Sequence, residues 1–273
     1  MQFDIITIFP EFFTGPLDYG IVRRAREASL VDVRVHDLRA FTHDRHRTVD
    51  DRPFGGGEGM VLKPEPLAAA LASLGIAPKT ERAQAPPAPP QVVLLSAQGR
   101  TFTQATAREL ATLDRIILVC GRYEGVDERI NQLYCDMELS IGDYVLSGGE
   151  LAAAVVVDAT MRLIPGVLGN EASSEFESFG VPDAEITTDE AGVPRSQHGA
   201  GGLLDYPHYT RPAEFAGLRV PETLLNGDHQ QIRRWRREQQ LRKTLANRPD
   251  LLQQATLSAE DRKLLDGIGR EMP

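Results

Sequence analysis

Residues 115–129 read Arg-Ile-Ile-Leu-Val-Cys-Gly-Arg-Tyr-Glu-Gly-Val-Asp-Glu-Arg. The first five residues form a short, nearly continuous apolar run, which is typical of a strand buried on both faces of a parallel sheet. A glycine then turns the chain, and charged residues open a predicted helix over residues 126–134. Because ligands bind at the carboxyl ends of parallel strands, this turn is a candidate site, although a plain strand-to-helix connection has the same pattern.

Strand and helix patterns alternate on both sides of this stretch. Residues 3–9 and 91–95 are apolar runs, and residues 31–35 alternate with a period of two. Further helices are predicted at residues 11–28, 64–74 and 103–112. This order predicts an α/β domain with a mostly parallel sheet. Residues 149–163 contain an apolar segment without a polar break, so we expect a helix that is buried on all sides.

Composition excludes several classes of protein. The chain has 273 residues, of which 41% are hydrophobic and 25% charged, which is a normal globular composition. No apolar run is long enough to span a membrane, and we expect no secretory signal. Two cysteines, Cys120 and Cys135, form neither a disulfide framework nor a zinc-ligand spacing. We therefore expect a cytoplasmic protein with reduced thiols and no membrane partner.

The net charge of −9 is distributed unevenly along the chain. Residues 169–202 carry 7 acidic side chains and 1 basic one, and their glycine, proline and serine content predicts a flexible lid or linker. Residues 203–273 have a net charge of +2 and are predicted to form a helical domain, with its strongest helices at 228–246 and 258–270. Residues 1–168 make up the α/β domain.

The predicted helix at 228–246 is strongly basic. Seven basic residues and one acid lie between positions 230 and 248. Ile232 and Trp235 are predicted on one side, and four arginines on the other: Arg233, Arg234, Arg236 and Arg237. A solvated helix face is the plainer interpretation, but this concentration of positive charge in an acidic chain favours an anionic partner such as a nucleic acid.

Two glycine-rich segments are further candidate sites. Residues 42–60 combine His, Asp and Arg side chains with four glycines, and a solvated loop explains them as well as a site does. Residues 140–150 read Ser-Ile-Gly-Asp-Tyr-Val-Leu-Ser-Gly-Gly-Glu and lie between a short strand and the apolar helix. Their backbone could hold a polar ligand and their apolar side chains an adenine ring; a tight structural connection is the alternative. No metal-ligand spacing, dinucleotide fingerprint or serine nucleophile elbow is present.

Five stretches together resemble the bacterial tRNA (guanine-N1)-methyltransferases of the TrmD type, and they occur in family order: 42–57, 119–129, 140–150, 164–169 and 202–212. The resemblance implies a SPOUT-type α/β domain with a trefoil knot and a small helical C-terminal domain that holds tRNA. It implies S-adenosylmethionine as methyl donor and the guanine just 3′ of the anticodon as the methylated base. It also implies a homodimer with each active site between two subunits, and dependence on Mg²⁺, for which no metal residue is named.

The resemblance assigns roles to individual residues. The positions that match the family's S-adenosylmethionine loops are Ser96, Gly99, Gly121, Glu124, Ile141, Gly142, Asp143, Tyr144, Val145, Leu146, Gly148 and Gly149. The family's catalytic arginine matches Arg162, for which a plain helix-end cation is the alternative. Glu177 stands at the position of the catalytic aspartate, and Asp183 or Asp189 further along the lid are the alternatives.

The chemistry of the reaction requires these residue types. N1 of neutral guanine carries a proton, so its attack on a sulfonium methyl group calls for a carboxylate general base. Negative charge then develops on O6, where a fixed cation stabilises it. Because glutamate replaces aspartate, a second hypothesis is a protein that binds S-adenosylmethionine and RNA with weak or no catalysis. A third is a small-molecule α/β enzyme with an incidental basic tail.

Overall fold

The computed structural model describes residues 1–82, 89–169, 174, 177–180 and 200–271. Two compact units divide the chain, Met1–Gly169 and Asn170–Pro273. The strands of the first unit are β1 (Gln2–Thr7), β2 (Asp32–Asp37), β3 (Asp50–Asp51), β4 (Val61–Leu62), β5 (Gln91–Thr101), β6 (Arg115–Cys120) and β7 (Met137–Ser140). Its helices are α1 (Gly20–Glu27), α2 (Pro64–Ser73), α3 (Gln104–Ala111), α4 (Glu128–Tyr134) and α5 (Glu150–Met161), with 3-10 helices at Pro10–Thr14 and Leu38–Phe41.

A five-stranded parallel sheet in the order β2-β1-β6-β5-β7 forms the centre of this unit. Neighbouring residues of a strand point to opposite faces, so Leu118 packs in the cluster against α5 while Ile117 packs in the cluster against α2 and α4. Because helices cover both faces, β6 carries apolar residues without alternation. The predicted α/β class with a mostly parallel sheet is confirmed.

The helix predicted over residues 11–28 is wrong in its first half. The chain forms the short 3-10 helix Pro10–Thr14, and α1 begins only at Gly20. Pro16 lacks the backbone N–H that a continuing helix would need, which separates the two elements. The predicted helices that correspond to α2, α3 and α4 are confirmed to within two residues at each end.

Helix α5 is buried on one side only in the single chain. Ala153, Val156 and Val157 are fully buried against the sheet, whereas Leu151 is 51% and Val155 44% exposed. The expectation of burial on all sides is therefore wrong for one copy of the chain. Sequence periodicity identifies an apolar surface but cannot say whether the same chain covers it.

The second unit is small and helical. Its elements are β8 (Glu214–Phe215), β9 (Leu218–Arg219), a 3-10 helix at Glu222–Leu224, α6 (His229–Asn247), α7 (Pro249–Gln254) and α8 (Ala259–Glu271). Leu203, Leu241 and Ile268 are buried together in its core. Ser258 and Asp261 form a capping box at the start of α8, because Asp261 N donates to Ser258 Oγ at 3.0 Å and Ser258 N donates to Asp261 Oδ2 at 2.9 Å. None of the described helices combines the length and apolar character that crossing a membrane requires.

The predicted face of four arginines on α6 is wrong at Arg237. Its guanidinium is buried and donates to both carboxylate oxygens of Asp261, at 2.7 and 2.9 Å. Helix α8 packs against α6 and brings this partner from 24 residues away, which no pattern within α6 could reveal. Arg233 and Arg234 remain exposed on the outer side of α6.

Candidate functional site

A glycine allows two segments of backbone to touch where β5 passes β7. The register between these strands shifts between Leu95 and Arg100. Within this irregular stretch Ser96 Oγ accepts a hydrogen bond from Gln98 N at 3.1 Å. A Cβ atom at Gly99 would lie 2.5 Å from Leu139 N, closer than real Cβ atoms approach backbone. Glycine is therefore required for this crossing.

A second backbone crossing joins the end of β6 to the start of α5. Gly149 N donates to Gly121 O at 2.9 Å, and a Cβ at Gly149 would lie 2.8 Å from Cys120 Cα. Gly121 in turn lies against β5, because a Cβ there would be 3.2 Å from Leu95 O. The carboxyl ends of two strands and the first turn of a helix thus meet with no side chain between them.

A buried carboxylate stabilises the same junction. Glu150, the first residue of α5, accepts a hydrogen bond from Thr7 Oγ1 at 2.7 Å and one from Arg122 Nε at 3.0 Å. The Arg122 guanidinium also lies 4.5 Å from the ring centroid of Phe9. Gly148 is in contact with this ion pair, since a Cβ there would overlap both partners. These contacts join the ends of β1 and β6 to α5, and no local sequence pattern assigns a role to the acid or its partners.

Burial changes the chemistry of the neighbouring thiol. Cys120 is fully buried, and this desolvation, together with the negative charge of Glu150, raises the pKa of Cys120 well above its usual value. The thiol therefore stays protonated and is a packing group rather than a nucleophile.

The loop after β7 presents apolar side chains to solvent. Ser140 Oγ holds its first turn, accepting from Gly142 N at 3.2 Å and donating to Gly142 O at 2.9 Å. Tyr144 folds back over Gly142, and its hydroxyl donates to Ile141 O at 3.3 Å. Tyr144 is nevertheless 54% exposed and Val145 86% exposed. Asp143 is exposed beside them, and Leu146 is half-buried.

The glycine-rich segment 42–60 ends against the turn that follows β6. Glu124 N donates to Met60 O at 3.0 Å, and Leu62 N donates to Gly125 O at 3.0 Å. Gly59 lies directly against the Glu124 side chain, because a Cβ there would be 2.6 Å from Glu124 Cγ. The structure therefore brings together two motifs that are far apart along the chain.

Tyr123 belongs to the turn after β6 and adopts a left-handed conformation, with φ of 60°. Partial burial and a hydrogen bond with Asp50 raise the pKa of Tyr123, so its hydroxyl keeps its proton at neutral pH. Neither Tyr123 nor Asp50 is among the site residues that the sequence predicts. Tyr123 lies in the 115–129 motif and Asp50 in the 42–60 motif, so neither motif by itself reveals that the two residues are paired.

The two residues matched to catalytic roles lie in different units. Arg162 follows the last turn of α5, where its backbone N–H donates to Asp158 O at 3.4 Å. Glu177 belongs to the second unit and is half-buried. The alternatives Asp183 and Asp189 lie outside the described residues. In the part of the chain that the structure describes, no group of three or more His, Cys, Asp or Glu side chains is arranged to hold a metal ion.

Residues 1–254 match the family model described as tRNA (Guanine-1)-methyltransferase TrmD. The chain belongs to this family. Three relatives are each named tRNA (guanine-N(1)-)-methyltransferase. The protein from Koribacter versatilis is 58% identical over 97% of this chain and 97% of its own. The protein from Geobacter metallireducens is 49% identical over 97% of this chain and 96% of its own. The protein from Dehalococcoides mccartyi is 48% identical over 98% of this chain and 97% of its own.

Membership of the TrmD family confirms the family predicted from the five stretches and makes the chain an enzyme of the methyltransferase class. It excludes the third hypothesis, a small-molecule enzyme with an incidental basic tail. The observed parallel α/β architecture agrees with the fold class that the resemblance to TrmD proteins implies.

Proposed function

We propose that this chain transfers the methyl group of S-adenosylmethionine to N1 of the guanine just 3′ of the anticodon in tRNA. The observation that carries the proposal is identity of 48–58% over nearly the whole chain to relatives named tRNA (guanine-N(1)-)-methyltransferase. The site geometry supports it, because the strand ends of the first unit combine close backbone crossings with an exposed apolar loop.

The strand ends fit an adenosine-bearing methyl donor. The loop after β7 offers the exposed apolar surfaces of Tyr144 and Val145 for an adenine ring. We assign the donor to Ser96, Gly99, Gly121, Glu124, Ile141, Gly142, Asp143, Tyr144, Val145, Leu146, Gly148 and Gly149. When bound, S-adenosylmethionine supplies an electrophilic methyl group. We further propose that the crossings at Gly99 and Gly149 belong to a trefoil knot.

Two charged residues are proposed to carry the proton and charge changes of the reaction. Glu177 takes the N1 proton as general base, and Arg162 stabilises the negative charge that develops on guanine O6. The Arg122–Glu150 pair holds the junction between β6 and α5 and so keeps the donor loops in place. We assign no residue to Mg²⁺ and no step to it.

The exposed arginines of α6 are proposed to contact tRNA. Arg233 and Arg234 form no ion pair with any described residue, whereas Arg248 pairs with Asp250. Exposed positive charge without an internal partner attracts phosphate, and tRNA is a dense array of phosphates. These residues therefore compensate locally for the acidic character of the whole chain.

We also propose a cytoplasmic homodimer in which α5 faces a second copy of the chain. Leu151 and Val155 lie one turn apart on the exposed side of α5, and Val145 is exposed in the loop before it. Large apolar side chains clustered in this way are typical of a subunit interface. A second copy would bury the face of α5 that the single chain leaves open.

The reaction is tested with tritiated S-adenosylmethionine, unmodified tRNA, and a transcript in which the target guanine is replaced by adenine. We expect label in the first RNA only. Label in both RNAs would contradict the assignment of this guanine as the methylated nucleotide. If donor and tRNA bind but no RNA is labelled, the hypothesis of binding without catalysis, which the glutamate at position 177 favours, replaces this one.

The general base is tested by four single substitutions. We expect Glu177→Ala to lower kcat by about 100-fold or more, the usual contribution of a general base, and Glu177→Asp to retain much of the activity. Asp183→Ala and Asp189→Ala are the matched controls and should behave like the wild type. Near wild-type kcat in Glu177→Ala, with loss in either control, would move the base to that aspartate.

A further inference from the structure

Residues 177–180 and 200–205 of the second unit are joined by a set of hydrogen bonds, which we call the clasp. Gly180 N donates to Glu177 O at 3.0 Å and closes a tight turn. Phe179 N donates to Leu203 O at 2.8 Å, and Gly202 N donates to Gly180 O at 2.9 Å. The clasp therefore fixes the backbone on the carboxyl side of Glu177.

The Ser178 side chain also takes part in the clasp. Ser178 Oγ accepts from Asp205 N at 2.9 Å. Ser178 directly follows Glu177. The contact therefore restrains the backbone next to the Glu177 Cα, from which the carboxylate side chain extends. Of the three backbone bonds of the clasp, one holds the Glu177 carbonyl within the turn, and the other two join Phe179 and Gly180 to the 200–205 segment.

The clasp is attached to the helical core of its unit. Leu203 is fully buried with Leu241 and Ile268. Leu204 N donates to Thr244 Oγ1 at 3.0 Å, and this buried hydroxyl donates to a carbonyl of α6 at 2.7 Å. The turn that carries Glu177 is thus fixed to a rigid helix rather than to a free surface loop.

The donor side of the Ser178 contact is also held by α6. Asp205 Oδ1 accepts from Tyr206 N at 2.8 Å, which orders the backbone around the Asp205 amide. The Arg236 guanidinium of α6 lies 4.9 Å from the ring centroid of Tyr206. Ser178 therefore bonds to a segment that is packed on the same helix whose exposed arginines are proposed to contact tRNA.

We propose that Ser178 is a positioning residue for methyl transfer: its hydroxyl orients the turn that presents the Glu177 carboxylate to the proton on guanine N1. The inference rests on the proposed role of Glu177. A misplacement of a reacting group by about 1 Å lowers rates by about 100-fold, so a contact adjacent to the base affects turnover more than binding. Loss of one hydroxyl bond makes only a modest difference to folding.

The test measures kcat, KM for tRNA and KM for S-adenosylmethionine in four variants. Ser178→Ala and Ser178→Cys remove the acceptor, the second with little change in volume because sulfur is a weak acceptor. Ser178→Thr restores it. Ser73→Ala is the matched control, since it removes one hydroxyl that donates to Ala70 O in α2 of the first unit.

We expect kcat to fall about 10-fold or more in Ser178→Ala and Ser178→Cys, with both KM values within about 2-fold of the wild type. Ser178→Thr should recover most of the activity, and Ser73→Ala should match the wild type. Wild-type kcat in Ser178→Cys would overturn the inference. So would a parallel rise in both KM values with a fall in thermal stability, which indicates a merely structural role.

Glu177→Ala, measured in the same assay, separates the two proposals. If it abolishes turnover while Ser178→Cys is fully active, only the positioning role of Ser178 is wrong. If Glu177→Ala is fully active, the proposed base itself is wrong, and the positioning role is lost with it.

Discussion

Asp4 and Glu150 are two carboxylates of the first unit with nearly the same chemistry and different surroundings. Their exposed fractions are 0% and 1%, and each accepts a hydrogen bond from an arginine, Arg115 at 2.7 Å and Arg122 at 3.0 Å. Removing either charge leaves a partly buried arginine without its carboxylate partner, so breaking either pair lowers stability. Burial and pairing by themselves do not distinguish a structural pair from a functional one.

The neighbours of each pair make the distinction. Asp4 also accepts from Gln2 Nε2 at 2.8 Å and bonds to His36 Nε2 at 2.7 Å, and Arg115 donates onward to Leu74 O at 2.9 Å. Side chains and backbone of the same unit therefore surround this pair.

Glu150 instead lies where Gly148 and Gly149 bring bare backbone against β6, next to a loop with exposed apolar side chains. We therefore place the proposed donor site beside the Glu150 pair and not beside the Asp4 pair.

The largest expected effect comes from filling a backbone crossing near Glu150. Gly149→Ala places a Cβ 2.8 Å from Cys120 Cα, so α5 must move away from β6. We expect a loss of about 3 kcal/mol in the free energy of unfolding and a fall of about 100-fold in affinity for S-adenosylmethionine. Denaturant titration and calorimetry measure the two effects.

Gly15→Ala is the control for this substitution, because Gly15 has φ of −92° and a Cβ added there would meet no atom within 4 Å. It should leave both stability and affinity close to wild type. If Gly149→Ala binds S-adenosylmethionine with unchanged affinity, the crossing at Gly149 is not part of the donor site.

Neutralising the two acids tests the comparison directly. Glu150→Gln and Asp4→Asn should each lower the free energy of unfolding by about 2 kcal/mol, less than for wholly buried pairs because both arginines retain some contact with water. Only Glu150→Gln should also weaken binding of S-adenosylmethionine, by about 10-fold. Equal weakening in Asp4→Asn would show that the two pairs do not differ in function.

The pH dependence of stability should reveal the Asp4 pair. Burial by itself raises the pKa of Asp4, but hydrogen bonds from His36, Arg115 and Gln2 outweigh it and leave the pKa of Asp4 below its usual value. The folded state then binds fewer protons than the unfolded state, so this stabilisation is complete above the unfolded pKa of about 4 and is lost as the pH falls through the folded pKa.

We expect the stability gap between wild type and Asp4→Asn to narrow as the pH is lowered from about 5 to about 3. Urea titrations at a series of pH values measure the gap. A gap that stays constant over this range would show that the charge of Asp4 contributes nothing.

The smallest effects are expected at two exposed arginines of α6 that pair with no carboxylate among the described residues. Arg233→Ala and Arg234→Ala should each weaken tRNA binding a few-fold and reduce the salt dependence of the affinity by about one ion. Arg34→Ala in the first unit, an exposed arginine paired with Asp32, is the control and should change neither quantity. Filter binding at several salt concentrations provides the measurement. An unchanged dependence of tRNA affinity on salt in both α6 variants would show that Arg233 and Arg234 do not contact tRNA.

Much of the fold could be predicted from the sequence because the pattern of apolar residues in a helix or strand depends on which of its faces are buried. Residues 116–119 are apolar throughout because helices cover both faces of β6. Gly121, Gly148 and Gly149 are among the predicted site residues, and in the structure a Cβ at Gly149 would lie too close to the backbone of Cys120. The partners of these glycines were not predictable in the same way.

The sequence by itself determined the α/β class, the order of most helices and strands, and membership of the TrmD family, because local periodicity and long motifs are properties of consecutive residues. Only the tertiary structure paired Thr7 with Glu150 across 143 residues, withdrew Arg237 from the basic face of α6, and left Leu151 exposed on α5. Those outcomes depend on which surfaces pack together in space, and a side chain at one position carries no local record of a partner brought to it by folding.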